Sequence, residues 1–418
     1  MRILLTTRIR NTVFTVLLLV LGSAYAWWVL VAYYASRLAA KSETAVLQKA
    51  VALEPDNAEY HDLLGNHLFF AAQDGTSSIA EYQVAVRLNP HVAHYWLDLA
   101  RAQLAAGNVA QTRAALAHAV AADPRTPDVL WEAANDYLVV GATEQALPYI
   151  RTVLEFEPSR TSSAMTLCWR MLGDVNLMLT QALPPRPNVY LAFMKMLLSE
   201  DEATAAARVW SALLTLRQQA AADSAFFYIQ YLIEHHEPAR AASAWRELPH
   251  LAPKMQQYMP SDNLVVNGRF TEDFLNAGFD WRYQQIPHVN VTLDDGRREG
   301  QRSLAVAFDG DTVNQTGVYQ FIPLEPDTRY EFSAWVRSDN VLGVTGPRLA
   351  IQDAYGSDVF VQTDAVLGTT AWEELKAEFT TPHGASLGTV KIVVSDSTHV
   401  AGTLWMTDLR LTKLPVKS

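Results

Sequence analysis

The sequence predicts a multidomain chain: an apolar membrane-spanning helix, then an all-α solenoid of helical repeats, then an all-β sandwich. Three observations predict it. Asn11 to Ala35 is an apolar stretch without a charged residue. Pro55, Pro90, Pro124 and Pro158 recur 35, 34 and 34 residues apart, each closing a helical pattern. After about residue 262 the hydrophobic period changes from helical to alternating, with Gly, Asp and Asn between the runs. The expected domains are a cytoplasmic tail (1–10), a transmembrane helix (11–36), a helical repeat domain (42–248), a linker (249–262) and a β-sandwich (263–415).

The 418 residues suffice for more than one core, since half are hydrophobic. The formal net charge of -11 argues against nucleic acid as a partner, because phosphate binding needs a basic face. The single cysteine, Cys168, forbids an intrachain disulfide. It lies in the apolar helical stretch TLCWRML and reads as a buried small hydrophobe.

The segment TVFTVLLLVLGSAYAWWVLVAYYA is long enough to cross ~30 Å of hydrocarbon. Trp27, Trp28, Tyr33 and Tyr34 occupy its second half, where an interface would hold them. Arg2, Arg8 and Arg10 precede it, while Arg37 and Lys41 follow. This modest asymmetry puts the N-terminus in the cytoplasm and the rest of the chain in the periplasm of a bacterial inner membrane. An Arg-rich start, the apolar run Val13–Leu21 and Ala24-Tyr25-Ala26 also fit a cleavable signal peptide. The apolar run continues beyond what such a peptide needs, which favours an uncleaved anchor.

Proline cannot continue a helix and restricts the residue before it, so each recurring proline ends the second helix of a unit. Between the prolines, small and large residues match from unit to unit. Leu64, Gly65 and Leu68 precede the turn Asp74-Gly75; Trp96, Leu99 and Ala100 precede Gly107-Asn108; Ala133, Ala134 and Tyr137 precede Gly141. Three units at a constant period resemble the tetratricopeptide repeat family, with Ser42–Pro55 as a leading half-repeat. Beyond Pro158 the pattern decays, and Asn188–Arg217 and Ser224–Leu248 read as degenerate helical hairpins. The resemblance implies a concave protein-binding groove lined by first helices. Its positions fall on Asp62, Asn66 and Phe69, on Leu97, Arg101 and Leu104, and on Trp131, Asn135 and Leu138. Asn66 and Asn135 could bond a peptide backbone there, and Arg101 a carboxylate. The lysines by which some family members clamp a peptide C-terminus are absent from these positions.

In the last third, runs such as SLAVAF, RYEFSAWVRS, TVKIVVS and LWMTDLRL alternate with turns, and no helical pattern intervenes. Short strands without helices suggest a two-sheet sandwich. Asn263-Leu264-Val265-Val266-Asn267-Gly268-Arg269-Phe270 resembles the start of jelly-roll carbohydrate-binding modules of families four, nine and twenty-two. Ser303-Leu304, the stretch Leu324–Tyr330, Trp372 with Phe379 and Pro382, and Leu404–Leu411 resemble later pieces of that pattern, in the same order. The resemblance implies glycan binding by aromatic and polar side chains on a sheet face. Alternation in Tyr330–Arg337 puts Tyr330, Phe332, Ala334 and Val336 in the core and Trp335 and Arg337 on the outer face. Trp281, Tyr283 and Tyr355 are further candidates. The resemblance also implies a structural calcium between first and last strands, with Asp408 as one ligand. Here Thr271 stands at the usual acidic position, and Glu272 and Asp273 follow it.

No phosphate loop, dinucleotide fingerprint, nucleophile elbow or zincin helix occurs. His235-His236-Glu237 at a helical turn lacks metal-ligand spacing. The expectation is a non-enzymatic, membrane-anchored scaffold, without a resident cofactor other than that calcium. Its repeats would bind envelope proteins and its sandwich glycan, in the assembly or export of cell-surface polysaccharide (exopolysaccharide). Two alternatives stand beside it: a purely protein-binding assembly factor, and a glycan-active enzyme. The anchor reading predicts that N-terminal sequencing of membrane-extracted protein finds the apolar stretch intact. A mature start at Trp27 would sink it.

Overall fold

The computed structural model describes residues 8–41, 43–298 and 300–415. Arg2 and the rest of 1–7 in the expected cytoplasmic tail lie outside the described residues, as does Ser42. Cα packing divides the chain into two compact units, meeting between Pro184 and Pro185. The boundary falls inside the stretch expected as one repeat domain.

The first unit opens with α1 (Arg8–Ala39), whose portion Arg10–Ala39 is long and apolar enough to cross a membrane. Most of its apolar side chains are exposed. Its C-terminal end is tied down, where Ala35 packs with Ala50 of α2 (Thr44–Leu53) and Tyr60. Three helical hairpins follow: α3 (Ala58–Phe70) with α4 (Gly75–Leu88), α5 (Ala93–Ala105) with α6 (Val109–Ala122), and α7 (Pro127–Val139) with α8 (Thr143–Phe156). These are the three units read from the proline spacing.

Their turns share one device. Gly107 and Gly141 take φ of 76° and 70°. The next residue's N–H bonds back across the helix end: Asn108 to the Gln103 carbonyl and Ala142 to the Tyr137 carbonyl. A left-handed residue at this point satisfies carbonyls the helix would otherwise orphan. The small positions carry the helix–helix contact. Ala85, Ala100, Ala119, Ala134 and Ala146 are fully buried, with Leu116, Leu130, Ile150 and Val153 filling between them. In the first hairpin the approach is closer still. A Cβ on Gly65 would sit 2.7 Å from the Tyr82 ring, so only hydrogen fits there.

The unit closes with α9 (Thr161–Leu172), α10 (Val175–Leu177) and a π turn over Met178–Ala182. Cys168 is fully buried and free, and burial pushes its thiol up to about 12, as the apolar reading expected.

The second unit begins with two further hairpins, α11 (Pro187–Ser199) with α12 (Ala203–Thr215) and α13 (Phe226–Glu234) with α14 (Pro238–Glu247). The segment expected as a linker is packed. A 3₁₀ turn over Pro253–Tyr258 buries Met255 and Tyr258, and the Trp245 indole donates to the Tyr258 carbonyl at 3.0 Å. Trp245 also meets Phe279 edge-on, and Gly278 at φ 53° leaves room for its ring. Prolines end the helices here, but the aromatic side chains between them still find a core.

The strands are β1 (Arg282–Tyr283), β2 (Val289–Arg298), β3 (Gln301–Pro323), β4 (Arg329–Leu342), β5 (Arg348–Asp353), β6 (Val359–Gln362), β7 (Gly368–Thr380) and β8 (Leu387–Lys413). β3 and β8 run antiparallel and pair from Leu304–Met406 to Pro323–Leu387. The outer half of this pair carries β2 on one side and β4 then β7 on the other. Its other half carries β1 on one side and β5 then β6 on the other. Register shifts near Asp309–Thr312 and Gln315–Tyr319 bend β3 between the halves, and Gly310 at φ 101° allows one of them. The two halves face each other as a sandwich. Leu304, Val306, Phe332, Ala334, Val336, Leu404 and Met406 from one half share a core with Leu349, Ile351, Val390 and Ile392 from the other.

The motif at the start of the domain is a strap onto β8. Asn263 accepts from the Leu411 N–H and donates to the Leu409 carbonyl. A Cβ on Gly268 would meet that carbonyl oxygen at 2.2 Å. Asp280, fully buried, accepts from the Leu275 N–H at 2.8 Å, while its Oδ1 has no partner. Burial pushes its carboxyl up to about 7, against hydrogen bonds that pull down.

Two outcomes follow from this packing. Gly65→Val drives a branched side chain into Tyr82 and lowers stability by about 2 kcal/mol, read as a lowered denaturant midpoint at unchanged slope. The Asp280 carboxyl titrates higher folded than unfolded, so its contribution is full below the ordinary carboxylate range near pH 4 and is lost as pH rises through about 7. Asp280→Asn is therefore more stable relative to the parent at pH 8 than at pH 4, by differential calorimetry. Equal differences at both pH values would contradict a neutral buried carboxyl.

Candidate functional site

Two surfaces hold the residues expected from sequence. The first lies in the helical hairpins of the first unit. Among the expected groove positions, Leu97 is 2 % exposed and Asp62 4 %. Leu97 is therefore a core residue, because α5 turns that position toward the neighbouring helices. Asn66, Arg101, Trp131 and Asn135 are partly exposed. Asn66 is already engaged. Its Nδ2 lies 3.1 Å from Asp62 Oδ2 and 3.4 Å from Asp98 Oδ2, and its Oδ1 accepts from the Tyr82 hydroxyl at 3.2 Å. Arg101 is held on both sides, at 2.8 Å from Asp98 Oδ1 and against Glu132. The carboxylate expected to come from a partner is thus supplied within the chain. Trp131 carries the Arg160 guanidinium over its ring. Asn135 Oδ1 and Asp136 Oδ2 are buried without a hydrogen-bond partner.

Of the acidic residues here, Asp62 was singled out from the sequence, while Asp98, Glu132 and Asp136 were not. Asp98 and Glu132 stand one position beyond the Leu97 and Trp131 places, and both pair with Arg101 at its expected place. Burial, then the Asp98 charge, push the Asp62 carboxyl up to about 7. Burial also raises Asp136, opposed by Arg101.

The second surface is the outer face of the sheet half formed by β2, β3, β8, β4 and β7. Alternation along β4 buries Phe332, Ala334 and Val336 and turns Trp335 and Arg337 outward, as expected. Register then adds Trp405. It pairs with Arg337 on one side and Ala305 on the other. Its indole N–H donates to Asp294 Oδ2 at 2.9 Å, and the Arg337 guanidinium lies 5.3 Å from its ring centre. Trp335 stands between Glu374 of β7 and Thr407 of β8, with the Arg298 guanidinium 3.9 Å over its ring. Glu374 is paired with Lys376 at 3.2 Å. Two indoles, two guanidinium groups and two carboxylates thus share one face, with Ala305 beside Trp405 keeping the floor low. The signal for Trp405 was present: Leu404 and Met406 flank it in an alternating strand and point inward.

The other sandwich candidates lie elsewhere. Trp281 is 1 % exposed and packs on Phe270 and Phe274, so it is core. Tyr283, on β1, is partly buried against the same core. Tyr355 donates its hydroxyl to the Ile233 carbonyl at 2.7 Å and stacks on His236, joining sandwich to α13. Burial pushes its hydroxyl up to about 12. His235 bonds the Tyr231 carbonyl, so that histidine pair serves the helix end and this contact.

The residues around Asp408 do not fit the calcium expected there. Arg269 Nε and Arg410 Nε both reach its Oδ1 at 3.1 Å, and Arg410 Nη2 reaches Oδ2 at 3.2 Å. Both carboxylate oxygens are occupied, and two fixed positive charges oppose a cation. Burial raises this carboxyl, but the hydrogen bonds from Arg410 and Arg269 outweigh it and hold the group below its ordinary range.

Residues 262–398 match the family model described as a carbohydrate binding domain, which covers most of the sandwich. No curated protein sequence matches the chain. Among solved structures, one described as a family-four carbohydrate-binding module, "CBM4 structure and function", is 18% identical. It covers 36% of this chain and 99% of its own, with a TM-score of 0.29. YrrB, described as a TPR protein with an unusual peptide-binding site, is 13% identical over 51% of this chain and 94% of its own, at 0.28. PilF of Pseudomonas aeruginosa is 18% identical over 55% and 91%, also at 0.28.

Proposed function

We propose that this chain is a membrane-anchored scaffold of the cell envelope that holds a glycan on the outer face of its sandwich and a protein on its helical hairpins. The carrying observation is the face built by Trp335, Trp405, Arg298 and Arg337 in a domain of the carbohydrate-binding type. An indole offers a flat apolar surface to the C–H face of a sugar ring, and here Trp335 is the partly exposed one, Trp405 being 8 % exposed; guanidinium and carboxylate groups bond hydroxyls or acidic substituents. A low floor at Ala305 suits an extended chain of sugars better than a single one.

An apolar helix before these units supports anchoring to the inner membrane, with the bulk of the chain in the periplasm. Anchor, helical repeats and glycan face in one chain support a part in assembling or exporting cell-surface polysaccharide. Side chains of this kind bind rather than turn over a substrate: the carboxylates on the face are engaged, Asp294 by the Trp405 indole and Glu374 by Lys376. A second reading, in which the sandwich is structural and the chain binds only protein, draws on the Tyr355–Ile233 and Trp245–Phe279 contacts.

The two readings part on one measurement. Full-length protein in detergent is applied to an array of bacterial and plant polysaccharides, beside Trp335→Ala. The glycan reading expects retention of at least one polymer, weakened about tenfold or more by the substitution, a loss near 1.4 kcal/mol. Thermal unfolding stays close to the parent, because Trp335 faces away from the core. Retention of no polymer leaves the protein-only reading.

A further inference from the structure

We propose that Asp62, His94 and Asp98 form a binding site for one divalent transition-metal ion of the Zn²⁺ or Co²⁺ class, joining α3 to α5. Each of the three side chains offers one ligand atom, and these atoms all lie within 4.8 Å of one another. His94 Nε2 is 3.0 Å from Asp98 Oδ2. The edge of a tetrahedron with bonds of about 2.0 Å is about 3.3 Å, so closing round an ion asks for small side-chain movements only.

The carboxylates are set for the purpose by their neighbours. Asn66 donates toward both of them, and the Tyr82 hydroxyl on its Oδ1 fixes which way the amide points. Arg101 takes Asp98 Oδ1, leaving Oδ2 on the His94 side. Glu132 offsets the Arg101 charge, so Arg101 does not cancel the carboxylate charge that a divalent ion neutralises. Supporting groups of this kind orient metal ligands and tune their basicity.

The independent observation is Asp62 Oδ1. Asp62 is 4 % exposed, and this oxygen is buried with no hydrogen-bond partner. A buried carboxylate oxygen left bare costs free energy comparable to a lost charged hydrogen bond. A cation bound to this oxygen removes that cost. One imidazole and two carboxylate oxygens favour a borderline ion over calcium or magnesium, which take oxygen ligands in larger number. His94 lies at the open side, with its side chain 63% exposed, so an ion enters from solvent. Three protein ligands leave a fourth position for water or for a donor group of a bound partner. The competing occupant is a proton shared by the two carboxylates, which would leave the chain indifferent to metal.

The test uses full-length, tag-free protein in detergent, stripped with a chelator and titrated with ZnCl₂ by calorimetry and with CoCl₂ by visible absorption. One ion per chain is expected, with the intense d–d bands of four-coordinate Co²⁺ and a raised thermal midpoint in Zn²⁺. His94→Ala and Asp62→Asn each weaken binding tenfold or more and abolish the bands, while His250→Ala leaves both unchanged. His94 is on the surface, so its variant folds even where Asp62→Asn does not. No saturable binding, or binding equal in the parent and in His94→Ala, overturns the proposal. It stands apart from the glycan reading, since Trp335→Ala leaves the metal titration unaltered.

Discussion

The ladder between β3 and β8 is the interaction on which the C-terminal domain depends. These two strands are the only ones, among the described residues, that belong to both halves of the sandwich. Because they pair along nearly their whole length, the register of one half constrains the other. The bends at Asp309–Thr312 and Gln315–Tyr319 then close the halves over a common core. Side chains alternate strictly along a strand, so the same register that turns Leu404 and Met406 into the core turns Trp405 to the opposite face, where its neighbours leave it 8 % exposed. A one-residue slip would turn Trp335 and Trp405 inward and destroy the core and this outer face together.

A different constraint governs the helical hairpins. There the helices approach at small residues, and the closeness at Gly65 and Tyr82 leaves no freedom in how α3 sits on α4. That placement brings the Tyr82 hydroxyl to Asn66, and through Asn66 to two buried carboxylates. Polar groups in such a place are costly unless each is satisfied. Arg101, Glu132 and Asn66 satisfy most of them, and Asp62 Oδ1 is left over. The groove is thus less a blank surface awaiting a peptide than a preorganised network.

Much of the architecture was legible in the residues. The proline period marked three hairpins whose turns share one backbone device, and alternation in Tyr330–Arg337 sorted core from face. Which aromatics bind was less legible. Trp281 and Tyr355 read like surface candidates because composition does not reveal packing partners: Phe270 and Phe274 claim one, Ile233 and His236 the other. Asp408 matched a ligand position in the family pattern, but Arg269 comes from a strap 139 residues earlier, and no local pattern shows that it lands there. The expected linker is packed for the same reason. Prolines report where helices stop, not whether Trp245 finds Tyr258 and Phe279.

What the sequence determined by itself is the order of elements: a long apolar helix, hairpins of constant period, and alternating strands. These follow from local rules, since helix period, strand period and the proline and glycine breaks are read within a few residues. Only the tertiary structure decided which side chains meet. It set Trp405 beside Arg337, Arg298 over Trp335, and His94 with Asp98 opposite Asp62. Such meetings depend on strand register and helix rotation, and a shift of one residue, as from Leu97 to Asp98, exchanges a core leucine for an acidic site.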